Sequence, residues 1–212
     1  MLTNESHITW NKIAQIYEDK FMDLDYYNES YNVFLNSIHE SPARLFEIGC
    51  GPGNITKYLL KKRPDLTVFG IDVAPNMVDL ARKNNPTANF EVMDCRTISA
   101  LNEKFDALVC GFCIPYLTQN ETVDFIQNCA QLLNSDGCIY LSYVEGEPED
   151  SSFQVGSSGD RIFFNFHKID TIEKLLTNAG FSAPQIINVN YPKSNNSTEI
   201  HTVLISTKIH SL

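Results

Sequence analysis

Apolar and polar positions along this chain sort into short buried runs and helical stripes that alternate almost to its end. Residues 9 to 40 carry a helical period twice before any strand. Ile13, Ile16 and Tyr17 mark one apolar face, and Tyr31, Phe34, Leu35 and Ile38 a second, with the ring-rich Tyr26-Tyr27-Asn28 between them. Pro42 breaks the pattern, and Arg44 to Ile48 reads as the first strand. Past Asn54 a helix places Ile55, Tyr58 and Leu59 on one face and Lys57, Lys61 and Lys62 elsewhere. Leu66 to Ile71 is the second strand. Pro75 suits the first turn of a helix running to about Asn84, with Met77, Val78 and Ala81 inward. Asn89 to Met93 and Phe105 to Gly111 are the third and fourth strands. Asn120 is placed to cap a helix carrying Val123, Ile126, Ala130 and Leu133, and Ser135-Asp136-Gly137 turns into a fifth strand, Cys138 to Val144.

Residues 145 to 161 change character: acidic from Glu145 to Asp150, then rich in Ser and Gly as far as Gly159. This stretch is expected to be a long surface connection. A helix from about Thr171 to Ala179 is stopped by Gly180, and strands near 185 to 190 and 200 to 208 flank a polar turn containing Pro192 and Asn195-Asn196. A late hairpin of this kind predicts an antiparallel pair at one edge of the sheet. Buried runs alternating with amphipathic helices specify a mostly parallel sheet, here of seven strands, covered on both faces. No repeat or low-complexity tract divides the chain. Residues 1–212 are therefore expected to form one domain, with 1–41 a helical element over a core of 42–212.

Composition narrows the partners. A chain of 212 residues buries roughly 70% of its unfolded surface. Its apolar fraction of 43% and charged fraction of 20% are ordinary for a soluble globular protein. A net charge of −10 and a pI near 4.9 disfavour nucleic acid and anionic membrane surfaces as partners. The polar start from Met1 to Trp10 lacks the apolar core of a signal peptide, and no run of about 18 apolar residues occurs, so a cytoplasmic location is expected. The six cysteines have apolar, strand-like neighbours and read as buried free thiols, Cys110-Gly111-Phe112-Cys113 included despite its redox spacing. No His/Cys cluster has zinc-ligand spacing, so no metal is expected. The chain is expected to be a monomer or homodimer.

The chemistry concentrates where the first strand ends. Glu47-Ile48-Gly49-Cys50-Gly51-Pro52-Gly53 sets three glycines at alternate positions between strand and helix. Such a turn takes up positive φ and lets a ligand lie against backbone N–H groups near a helix N-terminus. Glu47, Asp72 and Asp94 each finish a strand on the edge where open parallel sheets bind ligands. One such carboxylate reads as a helix cap or surface charge; three around a glycine turn mark a nucleotide-type cofactor site. A nicotinamide or flavin oxidoreductase shares the turn and a ribose-binding acid. Its G-x-G-x-x-G fingerprint, however, needs glycine where this chain has Asn54, and does not include an acid at Glu47 or the Asp94-Cys95 pair.

Together these segments resemble the class I S-adenosylmethionine-dependent methyltransferases. Glu47 to Gly53 is similar to the family's first motif, acidic-x-Gly-x-Gly-x-Gly. Gly70-Ile71-Asp72-Val73-Ala74-Pro75-Asn76-Met77 resembles the next, and Phe90-Glu91-Val92-Met93-Asp94-Cys95 the third. Phe105 to Val109 and Leu132 to Leu141 resemble the fourth strand and the late glycine-and-strand motif, with Cys138 in place of its second glycine. The resemblance covers about residues 10 to 208. It implies a Rossmann-like three-layer α/β sandwich, with S-adenosyl-L-methionine as methyl donor and S-adenosyl-L-homocysteine as product. By position, it implies that Gly49, Cys50, Gly51 and Gly53 let the cofactor's tail and ribose approach the backbone. Glu47 would hold the turn and attract the α-ammonium, and Asp72, 19 residues after Gly53, would accept both ribose hydroxyls. Val73 and Met77 would lie on the adenine faces, Asp94 and the Cys95 N–H at its edge, and Gly111 beside the methionine moiety. Tyr17 resembles the N-terminal aromatic that closes over the cofactor, which makes residues 1–41 a lid.

The methyl acceptor is expected on the surface built by the N-terminal helices, Phe112 to Tyr116 and residues 145–168. Trp10, Tyr17, Phe21, Tyr26, Tyr27, Phe153, Phe163, Phe164 and Phe166 make that surface aromatic, which suits a small or flat organic molecule. Cys113-Ile114-Pro115-Tyr116 only loosely echoes the Asn/Asp-Pro-Pro-aromatic motif of nucleic-acid methyltransferases. A protein acceptor and a non-catalytic cofactor-binding protein are the alternatives. A general base is needed only where the acceptor carries its proton at neutral pH. Tyr116, Tyr143, Glu145 and His167 fall near the expected mouth, each reads equally well as structural, and none is assigned as catalytic.

Overall fold

The computed structural model describes residues 2–156, 159–193 and 196–209. Its elements are α1 (Leu2–Lys12), α2 (Ala14–Phe21), α3 (Asn28–Asn36), β1 (Arg44–Ile48), α4 (Asn54–Lys62), β2 (Thr67–Asp72), α5 (Pro75–Asn84), β3 (Asn89–Val92), β4 (Phe105–Gly111), α6 (Gln119–Leu132), β5 (Leu133–Val144), β6 (Ser152–Val155), β7 (Arg161–Phe164), α7 (Ile169–Asn178), β8 (Gln185–Pro192) and β9 (Thr198–Thr207). Seven strands form one sheet in the order β3-β2-β1-β4-β5-β9-β8. The first five pair in parallel; β9 runs antiparallel to β5 and to β8.

The two-residue side-chain period explains the layers. Leu45, Val68, Ala107, Val109 and Tyr140 go to one face beneath α3 and α4, whereas Phe46, Ile48, Leu108, Cys110 and Leu141 go to the other beneath α6 and α7. Burying each large apolar side chain contributes about 1.5–3 kcal/mol, so both faces must be covered for the central strands to hold. The strand order reverses direction between β1 and β4, and a crevice opens at the carboxyl ends of the strands flanking that point. Among the described residues, no helix is long and apolar enough to cross a membrane.

Several elements differ from their sequence expectation. Three helices, rather than two, precede β1. The first, α1, escapes a hydrophobic-period reading because its inward face is polar: Ser6 and Thr9 are buried, and it docks through a Thr9 Oγ1 bond to Arg161 O and ion pairs from Glu5 to Arg161 and Lys12 to Asp160. Residues 145–161 are not a plain connection. A short 3-10 turn at Pro148–Asp150 leads into the β6–β7 hairpin, whose strands pair with each other and lean on α1 rather than on the sheet. The cap of α6 is Thr118, not Asn120: Glu121 N donates to Thr118 Oγ1 at 3.3 Å while Glu121 Oε2 accepts from Thr118 N at 2.7 Å. The expected turn at Ser135-Asp136-Gly137 is instead a kink inside β5, where Asp136 takes φ 60° and the register with β4 shifts. Pro192 ends β8 rather than lying in the turn, and Asn195 falls outside the described residues.

Candidate functional site

The turn after β1 is folded onto β2. Gly49 N and Cys50 N both donate to Ile71 O at 2.9 Å, and Gly53 N closes back onto Cys50 O. That path needs positive φ at Gly49, Gly51 and Gly53 (72°, 52° and 82°), which side chains with a Cβ rarely take. Asp72, at the end of β2, locks the turn from the next strand: its Oδ2 accepts from Gly51 N and its Oδ1 from Ala74 N, both at 2.9 Å. Burial pushes its carboxyl above the ordinary range, against the pull of those N–H groups.

In front of this turn lies a cavity of about 630 Å³. Ten of the twelve expected cofactor residues line it: Tyr17, Gly49, Cys50, Gly51, Asp72, Val73, Met77, Asp94, Cys95 and Gly111. The Tyr17 ring covers the turn, its Cε1 lying 3.7 Å from where a Cβ on Gly51 would stand. Met77 is buried against Ala14 and Ala74, with Trp10 and Tyr17 beside it. Asp94 is already partly engaged, accepting from Arg96 N at 2.9 Å and pairing with the Arg96 guanidinium at 3.1 Å, with His7 Nε2 at 3.9 Å.

Glu47 and Gly53 stand behind the turn rather than on the cavity wall. Gly53 caps α4 and faces Asn85 and Ala81. Glu47 is fully buried; its Oε2 accepts from the Thr56 hydroxyl, and its Oε1 has no hydrogen-bond partner. Burial outweighs the Thr56 bonds and pushes the carboxyl up to about 8. A folded-state value raised above the unfolded one means the native state holds the extra proton. The resulting stability is fully present below the unfolded value and is lost as pH rises through about 8. Urea unfolding of the ligand-free protein is therefore expected to show stability falling from pH 5 to pH 8.5, and Glu47→Gln to flatten that slope. An equal slope in both proteins would refute this assignment.

Of the expected acceptor aromatics, Trp10, Tyr17, Phe21, Tyr27, Phe163 and Phe164 line the cavity, while Tyr26, Phe153 and Phe166 do not. The three contributing regions are those expected: the N-terminal helices, the segment after β4, and the β6–β7 hairpin. Among the candidate bases, only Tyr116 reaches the cavity. Tyr143 is fully buried, with its hydroxyl unpartnered. Glu145 accepts from Ile169 N at 3.0 Å at the start of α7. His167 is fully buried and donates from Nε2 to Ile114 O at 3.0 Å, a bond that splints the chain after β4. The sequence reading missed Tyr191, Glu199 and His201, which line the cavity together with the expected Phe112. The available signal was slight: Glu199 and His201 sit two apart on a late strand and so share a face.

A family model described as a methyltransferase domain matches residues 45–137. The chain is 32% identical over 107 residues, 49% of its length, to the malonyl-[acyl-carrier protein] O-methyltransferase of Acetivibrio thermocellus, of which the match covers 37%. It is 22% identical over 220 residues to the tRNA N(3)-methylcytidine methyltransferase of Schizosaccharomyces pombe, covering 93% of this chain and 88% of that one. Two further relatives are matched over only 37% and 42% of their own lengths. In fold, the chain is similar to the Burkholderia thailandensis 1,6-didemethyltoxoflavin-N1-methyltransferase solved with 1,6-didemethyltoxoflavin and S-adenosylhomocysteine, with a TM-score of 0.71, 18% identity, and coverage of 98% of this chain and 88% of that one.

Proposed function

We propose that this chain, which belongs to the class I S-adenosylmethionine-dependent methyltransferases, moves the methyl group of S-adenosylmethionine onto a small organic acceptor held in the aromatic half of its cavity. The observation that carries this is the glycine turn locked by Asp72 and opening on the same cavity as the rings of Trp10, Tyr27, Phe163 and Phe164. The residues present fit an adenosyl cofactor. Gly49 and Gly51 bare the backbone on the cavity wall, and each Asp72 oxygen, holding one backbone N–H, keeps acceptor capacity for a ribose hydroxyl. The partnerless Oε1 of Glu47 leaves an unused hydrogen-bonding position beneath the turn that would receive the amino-acid tail.

In this reading Val73 and Met77 bracket the adenine, the Cys95 N–H and Asp94 meet its edge, and Gly111 lies beside the methionine moiety. Residues 1–41 form a helical lid on a single domain whose core is 42–212, with Tyr17 closing over the turn. When bound, the sulfonium of S-adenosylmethionine supplies an electrophilic methyl group. The protein's part is placement and exclusion of water, and alignment alone is worth effective molarities on the order of 10⁵ M. The acidic balance of −10 and the aromatic lining support a small acceptor over an RNA.

Calorimetry with S-adenosylhomocysteine and NADH tests the reading. Binding of the former alone is expected; binding of NADH alone would overturn it. If S-adenosylhomocysteine binds yet a screen across acceptor classes transfers no label, the chain is a cofactor-binding protein instead.

A further inference from the structure

Tyr27, His201 and Glu199 form a line of titratable side chains along the cavity wall. Tyr27 Oη lies 2.6 Å from His201 Nδ1, His201 Nε2 lies 3.0 Å from Glu199 Oε2, and Glu199 Oε1 accepts from Lys193 Nζ at 2.6 Å. The chemistry fixes the direction of each bond. An ionised carboxylate only accepts, so Nε2 carries the imidazole proton, Nδ1 is bare, and the Tyr27 hydroxyl donates to it. The imidazole is clamped: Tyr191 stacks on it at 4.7 Å and 10°, and Phe112 meets its edge at 4.9 Å. Phe112 directly follows Gly111, whose place in the proposed reaction is beside the methionine moiety. The line therefore starts near the point where the methyl group would be presented. Tyr27 and His201 are each 7% exposed, line the cavity, and come from positions 174 residues apart.

We propose that Tyr27, His201 and Glu199 are a proton relay that deprotonates the methyl acceptor, and hence that the acceptor presents an O–H or N–H rather than a carboxylate. The proposal rests on the methyltransferase reading. As the acceptor's O or N bonds to the methyl carbon, the S–C electron pair stays on sulfur. The acceptor's proton passes to Tyr27 Oη, the Tyr27 proton to His201 Nδ1, and the imidazolium so formed sits against Glu199 until it loses its proton to solvent. Tyr27 touches the acceptor; His201 and Glu199 act through it. Burial holds the imidazole below its ordinary value against the pull of Glu199, so it is neutral and able to accept at neutral pH. The titratable groups facing it are Tyr27 at the start of α3, Tyr191 on β8, Glu199 on its own strand and Lys193 beyond β8.

A carboxylate acceptor would need no such relay, since it has no proton to lose near pH 7. The wall also suits one poorly: Asp72, Asp94 and Glu199 line it, and of its cations Arg96 is held by Asp94 and Glu121 while Lys20 is exposed over the Phe21 ring.

The test uses the whole protein with labelled S-adenosylmethionine and a matched panel of phenols, catechols, anilines and N–H heterocycles against benzoates and aliphatic dicarboxylates. Expected is transfer to O–H or N–H members, with kcat falling as pH drops through the His201 titration. Tyr27→Phe should lower kcat by about 10²-fold or more while leaving S-adenosylhomocysteine affinity and KM within a few-fold. His201→Gln should abolish the acid limb, and the exposed-end variant Glu199→Gln should displace it. Nitrogen-15 NMR of histidine-labelled protein should show the Nε2–H tautomer of His201 without any acceptor present. Transfer confined to carboxylates, an Nδ1–H tautomer, or undiminished kcat in Tyr27→Phe each overturns the relay alone, whereas transfer to no member while S-adenosylhomocysteine binds overturns it together with the methyltransferase reading. Loss of S-adenosylhomocysteine binding by the wild type would instead overturn the underlying reading.

Discussion

Asp72→Ala is expected to weaken S-adenosylhomocysteine binding by at least about 100-fold in calorimetry. The carboxylate serves two sets of donors at once. Towards the protein it takes Gly51 N and Ala74 N, which holds the glycine turn against the start of the following crossover. Towards the cavity, in the proposed function, its remaining acceptor capacity would take the two ribose hydroxyls. A hydrogen bond to a charged group contributes about 1.5–3 kcal/mol, so losing two exceeds the roughly 2.7 kcal/mol that a 100-fold change requires. Alanine also frees the Gly51 N–H, which leaves the turn less ordered and adds to the loss. Asp72→Asn separates the two effects: its amide keeps a carbonyl oxygen for one backbone N–H but turns a donor toward the other. It should fall between alanine and wild type in affinity if both the turn and the ribose depend on this residue. An alanine variant that binds within about five-fold of wild type would remove Asp72 from the site.

The parts of this molecule that sequence reveals are those where one local period decides the structure. The central strands were legible because their residues are buried on both faces, as at Leu45, Phe46 and Ile48, and the glycine turn was legible because its positive φ angles favour glycine. Polar docking hid the rest. The buried face of α1 is Ser6 and Thr9, and the β6–β7 hairpin is held by Arg161 and Asp160 pairing with α1, so neither leaves an apolar stripe. The same limit applies to the site. Nine of the ten expected cofactor positions on the cavity wall lie at or within five residues of the ends of the first four strands, Tyr17 on α2 being the exception, whereas Tyr27, Tyr191, Glu199 and His201 meet only because the terminal hairpin returns antiparallel along β5 and brings β9 back beside the N-terminal helices. A histidine two residues from a glutamate in an edge hairpin carries no spacing rule. Position in the fold gives it chemistry.

Gly53→Ala is expected to be the most damaging single methyl group in the chain, lowering stability by about 3–6 kcal/mol and Tm by roughly 10–20 °C. Gly53 holds φ 82° and ψ 26° as the cap of α4, a left-handed conformation that costs a non-glycine residue about 1–2 kcal/mol. The added Cβ would also collide with Asn85 Nδ2 and lie 3.2 Å from Ala81 Cα, which is backbone of α5 and cannot swing aside. Asn85 is 4% exposed, and its amide donates to Gly53 O at 2.9 Å and Ala81 O at 3.3 Å. Each of those carbonyls keeps a backbone N–H, from Lys57 and Asn85 respectively, so displacement leaves the buried Asn85 side-chain amide as the group without its partners, at a cost of about 1–3 kcal/mol. The helix bearing Ile55 and the strand end bearing Glu47 are both anchored through this turn, so cofactor affinity should fall with stability. A double-mutant cycle isolates the cause: introduced into an Asn85→Ala background, Gly53→Ala no longer meets the amide and should cost only the backbone strain and the Ala81 contact. If the Tm loss is the same in both backgrounds, the Asn85 collision contributes nothing and the strain of the left-handed cap alone sets the cost.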